Sequence, residues 1–365
     1  MIRRRPSVGV GTGAVMLVLL LLLPPVVGST QLSLPTEIFL FAVFALTYDV
    51  LFGFTGLISF GHALFVGFGG YSIAVAMTGH GVAFWPALLI VLVTGLVVST
   101  VTGVVALRTR GVYFAMVTLA FAQAAFTLAQ SNIGNQTNGE NGLTVSGAPN
   151  WLVGPTSQTH FYYVALAVLV CSFLLLRVFV QSPVGRVWQA IRENEQRSLM
   201  LGYRPFVYKL LAYVISGTLA TLVGALYALF VGAVSTNLFS ADVTIQLLLM
   251  VIIGGAGSLW GAMLGAAIVR ALDRYLNDLA GAGWVTNLPN WLHNTIGQPL
   301  LVFGLIYLLL IYFFPQGIAG LVQRRFPGSS PVPQPGLAEV EGDAVSALPE
   351  ETVPIDVSST PVIRS

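Results

Sequence analysis

Three side chains of the kinds that act as acids, bases or nucleophiles stand close together early in this chain. They are Asp49, Ser59 and His62, in the stretch YDVLFGFTGLISFGHALFVGFGGY from Tyr48 to Tyr71. A hydrolase would need the serine and histidine within hydrogen-bond reach, and donors for an oxyanion. Ser59 and His62 lie three residues apart, so a helix puts them on one side, but a serine and a histidine of one helix rarely align for proton transfer. An intramembrane hydrolase using Ser59 and His62 is therefore the lesser reading, and no enzyme is expected. The four histidines, His62, His80, His160 and His293, are scattered and form no metal cluster. No G-x-x-x-x-G-K-[ST] phosphate loop occurs, and the only lysine, Lys209, follows Tyr208. No cofactor is expected, and ATP is not bound by that route.

The elements that must position these side chains are apolar. Of 365 residues, 56% are hydrophobic and only 8% charged, and the mean hydropathy is +0.84; soluble domains carry about 25% charged residues. The apolar runs are long and do not alternate, so the chain is expected to be an all-α polytopic membrane protein. Ten segments qualify, at about 12–28, 36–54, 57–78, 84–106, 111–130, 160–180, 206–233, 240–254, 258–275 and 297–315. With the amino terminus inside, 14 of the 16 basic residues fall on the cytoplasmic side and only Arg270 and Arg274 fall outside. About ten transmembrane helices follow, with both termini cytoplasmic. The domain reading is a basic leader and first segment over 1–35, a transmembrane domain over 36–325 and a disordered cytoplasmic tail over 326–365, where prolines and acidic residues concentrate. The first segment has the basic start and short core of a signal peptide but lacks an A-x-A-like exit. The run 240–254 reaches only about 20 Å at 1.5 Å per residue, which suggests a short or broken helix beside a protein-lined cavity. Cys171, the single cysteine, has no partner for an internal disulfide. The loop from Ser131 to His160 is turn-rich, with Asn138-Gly139 and Asn141-Gly142 suited to left-handed backbone.

Ionisable and polar groups at membrane depth default to functional candidates. Tyr48, Asp49, Ser59, His62, Thr244 and Gln246 are the candidates for a solute path. Each also has a structural reading: Asp49 near an interface, His62, Thr244 and Gln246 in hydrogen bonds between helices. Small residues form faces for close helix packing. These are Ser59, Ala63, Gly67, Gly70 and Ala74 in the third segment, Ala220, Gly224, Ala228 and Gly232 in the seventh, and Gly257, Gly261 and Gly265 in the ninth. Gly53 and Gly56 are expected to make the turn between the second and third segments.

The stretch SPVGRVWQAIRENEQRSLMLGYRP, from Ser182 to Pro205, reads as one amphipathic helix on the cytoplasmic face. Ser182 caps it, Pro183 fits its first position and Gly202 ends it. Val184, Val187, Trp188 and Ile191 make the apolar ridge, Arg186, Arg192, Glu193 and Arg197 point elsewhere, and Glu193 and Arg197 are spaced to pair. A short helix of this kind suits docking to a cytoplasmic partner; the plainer reading is a connector lying on lipid.

Five motifs in order carry a resemblance. YDVLFGFTGLISFGHALFVGFGGYSIA, LRTRGVYFAMVTLAFAQ, the NGENGLT loop, the stretch from Ser182 onward through FVYKLLAYVISGTLATLVGALYAL, and IQLLLMVIIGGAGSLWGAMLGA together resemble the LivM-type permeases of branched-chain amino acid ABC transporters, over roughly residues 40–320. The resemblance implies a permease subunit of an importer in the inner membrane of a bacterium or archaeon. It implies as partners a second homologous permease, two cytoplasmic ATP-hydrolysing subunits and an extracytoplasmic solute-binding protein. The helix from Arg186 to Gly202 then takes the coupling role, with Arg186, Arg192, Glu193, Glu195 and Gly202 as its candidate residues. Branched-chain or related hydrophobic amino acids are the expected solutes and urea or amides the alternative, since the same family includes urea permeases. A passive channel is the further alternative from another class.

Overall fold

A computed structural model describes residues 18–26, 29–132, 136–149, 151–152 and 157–280, together with Gly304 and Gly317. The leader up to residue 17, nearly all of the segment at 297–315 and the tail over 326–365 lie outside the described residues.

The described chain is helical almost throughout. After a short helical stretch at Leu23–Val26 come α1 (Ser33–Asp49), α2 (Ala63–Ala74), α3 (Phe84–Ala106), α4 (Val112–Gln130) and α5 (Gln158–Gln181). Next are α6 (Pro183–Glu193), α7 (Glu195–Met200), α8 (Pro205–Val231), α9 (Ala241–Gly254) and α10 (Leu259–Ala280). Wide turns extend α1 over Val50–Phe54 and α2 over Val75–Gly79. A two-residue antiparallel strand pair, β1 (Leu143–Thr144) with β2 (Ala233–Val234), ties the long loop to the end of α8. In that loop Asn138 is left-handed at φ 55°, as its pairing with Gly139 predicts.

Among the described residues, five helices are long and apolar enough to cross a membrane: α1 with its wide turn, α3, α4, α5 and α8. The pair α9 and α10, bent by 119° at the break, makes a sixth if counted as one span. The segment at 57–78 differs from its reading. Its helix starts only at Ala63, and with its wide turn it forms a shorter apolar helix, Ala63–Gly79. Gly53 sits inside the wide turn that continues α1, so Gly56, at φ +72°, leads the chain out alone.

α1 is the central helix, with 83% of its most apolar window buried against 28% for α3. It packs against α5, α8, α9 and α10, while α2 packs against α3 and α8. Contact between α2 and α8 is backbone to backbone: a Cβ on Gly69 would strike the Thr221 carbonyl, and one on Gly224 the Val66 carbonyl. Small residues permit this, and in lipid close packing replaces the hydrophobic drive between helices. Gly224 belongs to the predicted face of α8, whereas the stripe predicted on α2 lies beside this contact. Gly67 and Gly70 instead accommodate the Phe239 ring and the Val234 side chain. Gly261 and Gly265 do face a neighbouring helix, abutting Gly254 and the Met250 carbonyl of α9. Gly257 is not part of that face, because it stands in the turn between α9 and α10 at φ +83°; Gly232 likewise caps α8 at φ 76°.

Arg270 of α10 bonds Glu37 of α1 and, at 2.9 Å, Asp273, and lies 4.0 Å from the Phe41 ring centroid. This cluster sits at the start of α1, at the opposite end from α6.

Candidate functional site

The segment between α1 and α2 is the irregular heart of the molecule. Residues 56–62 do not continue away from α1 but run back beside its last turns: Tyr48 Oη donates to the Ser59 carbonyl at 3.0 Å, and Thr47 Oγ1 and His62 Nε2 lie 3.0 Å apart. α2 therefore begins level with Thr47, inside the bundle. Non-helical backbone survives at membrane depth only where protein satisfies its polar groups. Here side chains of two other helices and of Ser59 itself do so. The Phe60 N–H donates to Thr118 Oγ1 of α4 at 3.2 Å, the Gly61 N–H to Ser59 Oγ at 3.3 Å, and the Ala63 N–H to Thr244 Oγ1 of α9 at 2.9 Å. Ser59, His62 and Thr244 are completely buried.

Ser59 and His62 are not brought together. The Ser59 hydroxyl takes the Gly61 N–H, while the Thr47 hydroxyl donates to the Phe44 carbonyl at 2.7 Å and so accepts from His62 Nε2–H. That leaves His62 Nδ1 buried and without a partner. Ser216 of α8 donates to the Thr47 carbonyl at 2.5 Å, fastening a third helix to the same point. Gln246 is half-buried on α9, two residues beyond Thr244 and so turned to another side of that helix.

Thr244 acts as an external cap for α2, whose first N–H groups have no partner within the helix. Thr244→Val keeps the shape and removes the acceptor, so it should cost about 1–3 kcal/mol. The expected readout is a lowered Tm of the purified protein in detergent, with Thr244→Ser close to wild type. An unchanged Tm in Thr244→Val would sink this account.

A second group of residues meets where α1 ends. Asp49, completely buried, accepts the Gly257 N–H on Oδ1 at 2.8 Å, bridging α1 to the break between α9 and α10. Its Oδ2 is buried without a partner. The guanidinium of Arg192, on α6, donates to the carbonyl of Gly53. A Cβ on Gly53 would overlap Asp49 Oδ1 and the Gly257 nitrogen, and one on Gly257 would lie 3.0 Å from Arg192 Nη1. Three elements thus touch through Asp49, Gly53, Arg192 and Gly257. Burial lowers the affinity of Arg192 for its proton, and the carboxylates of Asp49 and Glu193 oppose that shift.

The amphipathic stretch is two helices, not one. Ser182 caps α6, its Oγ accepting the Gly185 N–H at 3.4 Å with Pro183 at the first position, as predicted. Asn194, at φ −160°, breaks the helix, and its side chain caps α7 by accepting the Arg197 N–H at 2.8 Å. The break separates Glu193 from Arg197, and their predicted pair does not form; Glu195 instead pairs with Lys209 of α8 at 2.7 Å. Of the ridge, Val187, Trp188 and Ile191 are buried and Val184 half-buried, with Trp188 fully enclosed and its Nε1–H donating to the Tyr208 carbonyl at 2.8 Å. Arg192 turns inward, whereas Arg186 and Glu193 are exposed. Gly202 is exposed at φ +87°, next to a run of apolar side chains open to the surroundings: Leu199, Met200, Leu201, Tyr203 and Phe206.

Sequence reasoning missed Thr47, Thr118 and Ser216. Hydroxyls inside apolar runs were the available signal, and only the fold shows which backbone groups they serve.

An all-α, multi-pass membrane protein with an irregular segment held inside its bundle by side chains of neighbouring helices and an anchored amphipathic helix pair at one end has the build of a membrane transport component. A family profile described as the permease component of branched-chain amino acid transport systems matches residues 32–314, and the chain belongs to this family. Among curated relatives, it is 28% identical over 338 residues to the high-affinity branched-chain amino acid transport system permease protein LivM of Escherichia coli, covering 85% of this chain and 75% of that protein. LivM of Salmonella typhimurium is 27% identical over the same shares. BraD of Pseudomonas aeruginosa, also a high-affinity branched-chain amino acid permease protein, is 23% identical over 77% of this chain and 91% of its own length. No solved structure matches.

Proposed function

We propose that this chain is a permease subunit of an ABC importer for branched-chain or related hydrophobic amino acids, driven by separate ATPase subunits. The observation that carries this reading is the family match across most of the chain. Its closest support in the structure is the anchored pair α6 and α7, joined through Arg192 to the end of α1. A second homologous permease, two cytoplasmic ATP-binding subunits and an extracytoplasmic solute-binding protein complete the transporter. The face bearing α6 is cytoplasmic in this reading, since Arg108, Arg110, Arg177, Arg186, Arg192, Arg197, Arg204 and Lys209 gather at that end and basic residues mark the inside. The protein lies in the inner membrane with both termini on that side.

In the mechanism proposed here, α6 and α7 dock on the ATPases through exposed Arg186 and Glu193 and the apolar run around Gly202. ATP-driven closure moves α6, and Arg192 carries the movement to Gly53. From there Asp49 passes it to Gly257 and the break between α9 and α10. A pathway then opens by rearrangement of packed helices between two arrangements. Tyr48 and Thr244 hold the irregular segment that contains Ser59 and His62, where such a rearrangement would expose polar groups to a solute; His62 Nδ1 is an acceptor already waiting there, and Gln246 would meet a solute only on another side of α9.

The test is reconstitution. The full chain, purified from membranes expressing the neighbouring transport subunits, should bring nucleotide-binding subunits with it and support ATP-dependent accumulation of labelled leucine in vesicles. Accumulation of urea in place of leucine would transfer the reading to the amide branch. Leucine flux without ATP or an ATPase partner would establish a channel instead.

A further inference from the structure

A cavity of about 520 Å³ opens beside the mechanism's residues, on the face that bears α6. Its walls come from the turn joining α3 to α4, the chain leaving α1, the junction of α6 with α7, and the start of α8. The volume falls in the range of about 300–1,000 Å³ typical of small-molecule sites. Four basic residues line it, Arg108, Arg110, Arg192 and Lys209, against two acidic ones, Glu193 and Glu195. Lys209 is neutralised by Glu195 at 2.7 Å, and Arg192 is committed to the Gly53 carbonyl. Arg108 and Arg110 have no ion partner among the described residues, so the cavity holds an excess of positive charge centred on them.

Position adds what charge alone does not. Arg108 lies two residues beyond the end of the span Phe84–Ala106, which places it at headgroup depth. Val93, Val97, Val101 and Val105, each about half exposed, follow one another at steps of four along α3, toward the end of the helix that carries Arg108. Ile58, also exposed, forms part of its wall. A pair of arginines at headgroup depth beside a lipid-facing helix meets a membrane lipid's phosphate more readily than a free anion. We infer that this cavity takes the headgroup of an anionic membrane phospholipid, with Arg108 and Arg110 on the phosphate and an acyl chain lying along the valine stripe of α3. Basic pockets at the cytoplasmic ends of spanning helices suit this chemistry. The inference rests on the sidedness in the proposed function, not on its solute.

Native mass spectrometry of the full chain in micelles containing equal amounts of dioleoylphosphatidylglycerol and dioleoylphosphatidylcholine tests it. The wild type should retain the glycerol lipid over the choline lipid by about tenfold or more, the effect expected of two arginines near a lipid phosphate. The Arg108→Ala/Arg110→Ala protein should lose that preference at unchanged Tm, and Arg108→Lys/Arg110→Lys should recover most of it. Arg197→Ala/Arg204→Ala removes the same charge from exposed positions outside the cavity and should keep the preference. Equal retention of both lipids by the wild type overturns the inference, as does an equal loss in the Arg197/Arg204 protein. Complete displacement of the lipid by millimolar glycerol phosphate also overturns it, because the site would then read the anion and not the lipid. Leucine uptake enters none of these readings, so failure here is distinct from failure of the transport assignment.

Discussion

Replacing Arg192 with alanine is expected to cut ATP-dependent uptake about 10- to 100-fold, with ATP hydrolysis and subunit copurification retained. Arg192, on α6, hydrogen-bonds the end of α1, donating to the Gly53 carbonyl beside Asp49 and Gly257. Hydrogen bonds from a charged donor are worth about 1.5–3 kcal/mol; at 1.4 kcal/mol per factor of ten, losing one shifts an equilibrium between two arrangements by that range. Trp188 still anchors α6 to Tyr208 in the variant, so docking is preserved while its connection to the bundle is lost. Arg192→Lys keeps the charge but not the planar fork and should fall between the two. Arg186→Ala makes the contrast, since Arg186 is exposed and should weaken copurification instead. Full uptake in Arg192→Ala would refute the proposed route.

The second large effect concerns Gly53. Gly53→Ala should lower stability by about 2–6 kcal/mol, combining an overpacked core with the loss of a buried hydrogen bond. Its Cβ would meet the Asp49 carboxylate and the Gly257 backbone at once. The backbone nitrogen cannot swing aside as a side-chain tip can, so the Asp49 bond to Gly257 must give way. Asp49→Asn separates the two roles of that carboxylate: the amide oxygen still accepts the Gly257 N–H, so its Tm should stay near wild type. Asp49→Ala leaves the N–H buried without an acceptor and should fall toward Gly53→Ala. The check is thermal unfolding of the three proteins in one detergent; a Gly53→Ala protein as stable as the wild type would remove the close contact from the account.

Membrane class, helical build and most span limits were legible in the chain. The segment read at 84–106 is α3 residue for residue, and Ser182, Pro183 and Gly202 mark the amphipathic stretch where expected. These are local signals: a run of apolar side chains or a capping hydroxyl acts on its own neighbours. Errors arose where a residue serves a distant one. Ser59 was placed on a helix because apolar residues continue through 57–62, yet Tyr48, Thr118 and Thr244 hold that segment out of helix. Asn194 was read through because the ridge continues past it, and its side chain breaks the helix. Arg192 looked like part of the charged outer face until the end of α1 offered it a carbonyl.

What the sequence by itself determined is what the bilayer demands, since hydrocarbon imposes the same cost on every exposed polar group and only long apolar helices escape it. It also determined the family, through five ordered motifs. Tertiary structure alone decided what each polar residue within those motifs is for. Asp49, Ser59, His62 and Thr244 are separated by as much as 195 positions, and the partner of a buried polar group is whichever donor or acceptor packing delivers. The Ser59 and His62 side chains turned to a backbone N–H and to Thr47, while Asp49 turned to a glycine 208 residues away. No local pattern encodes such a choice, because it follows from three-dimensional proximity.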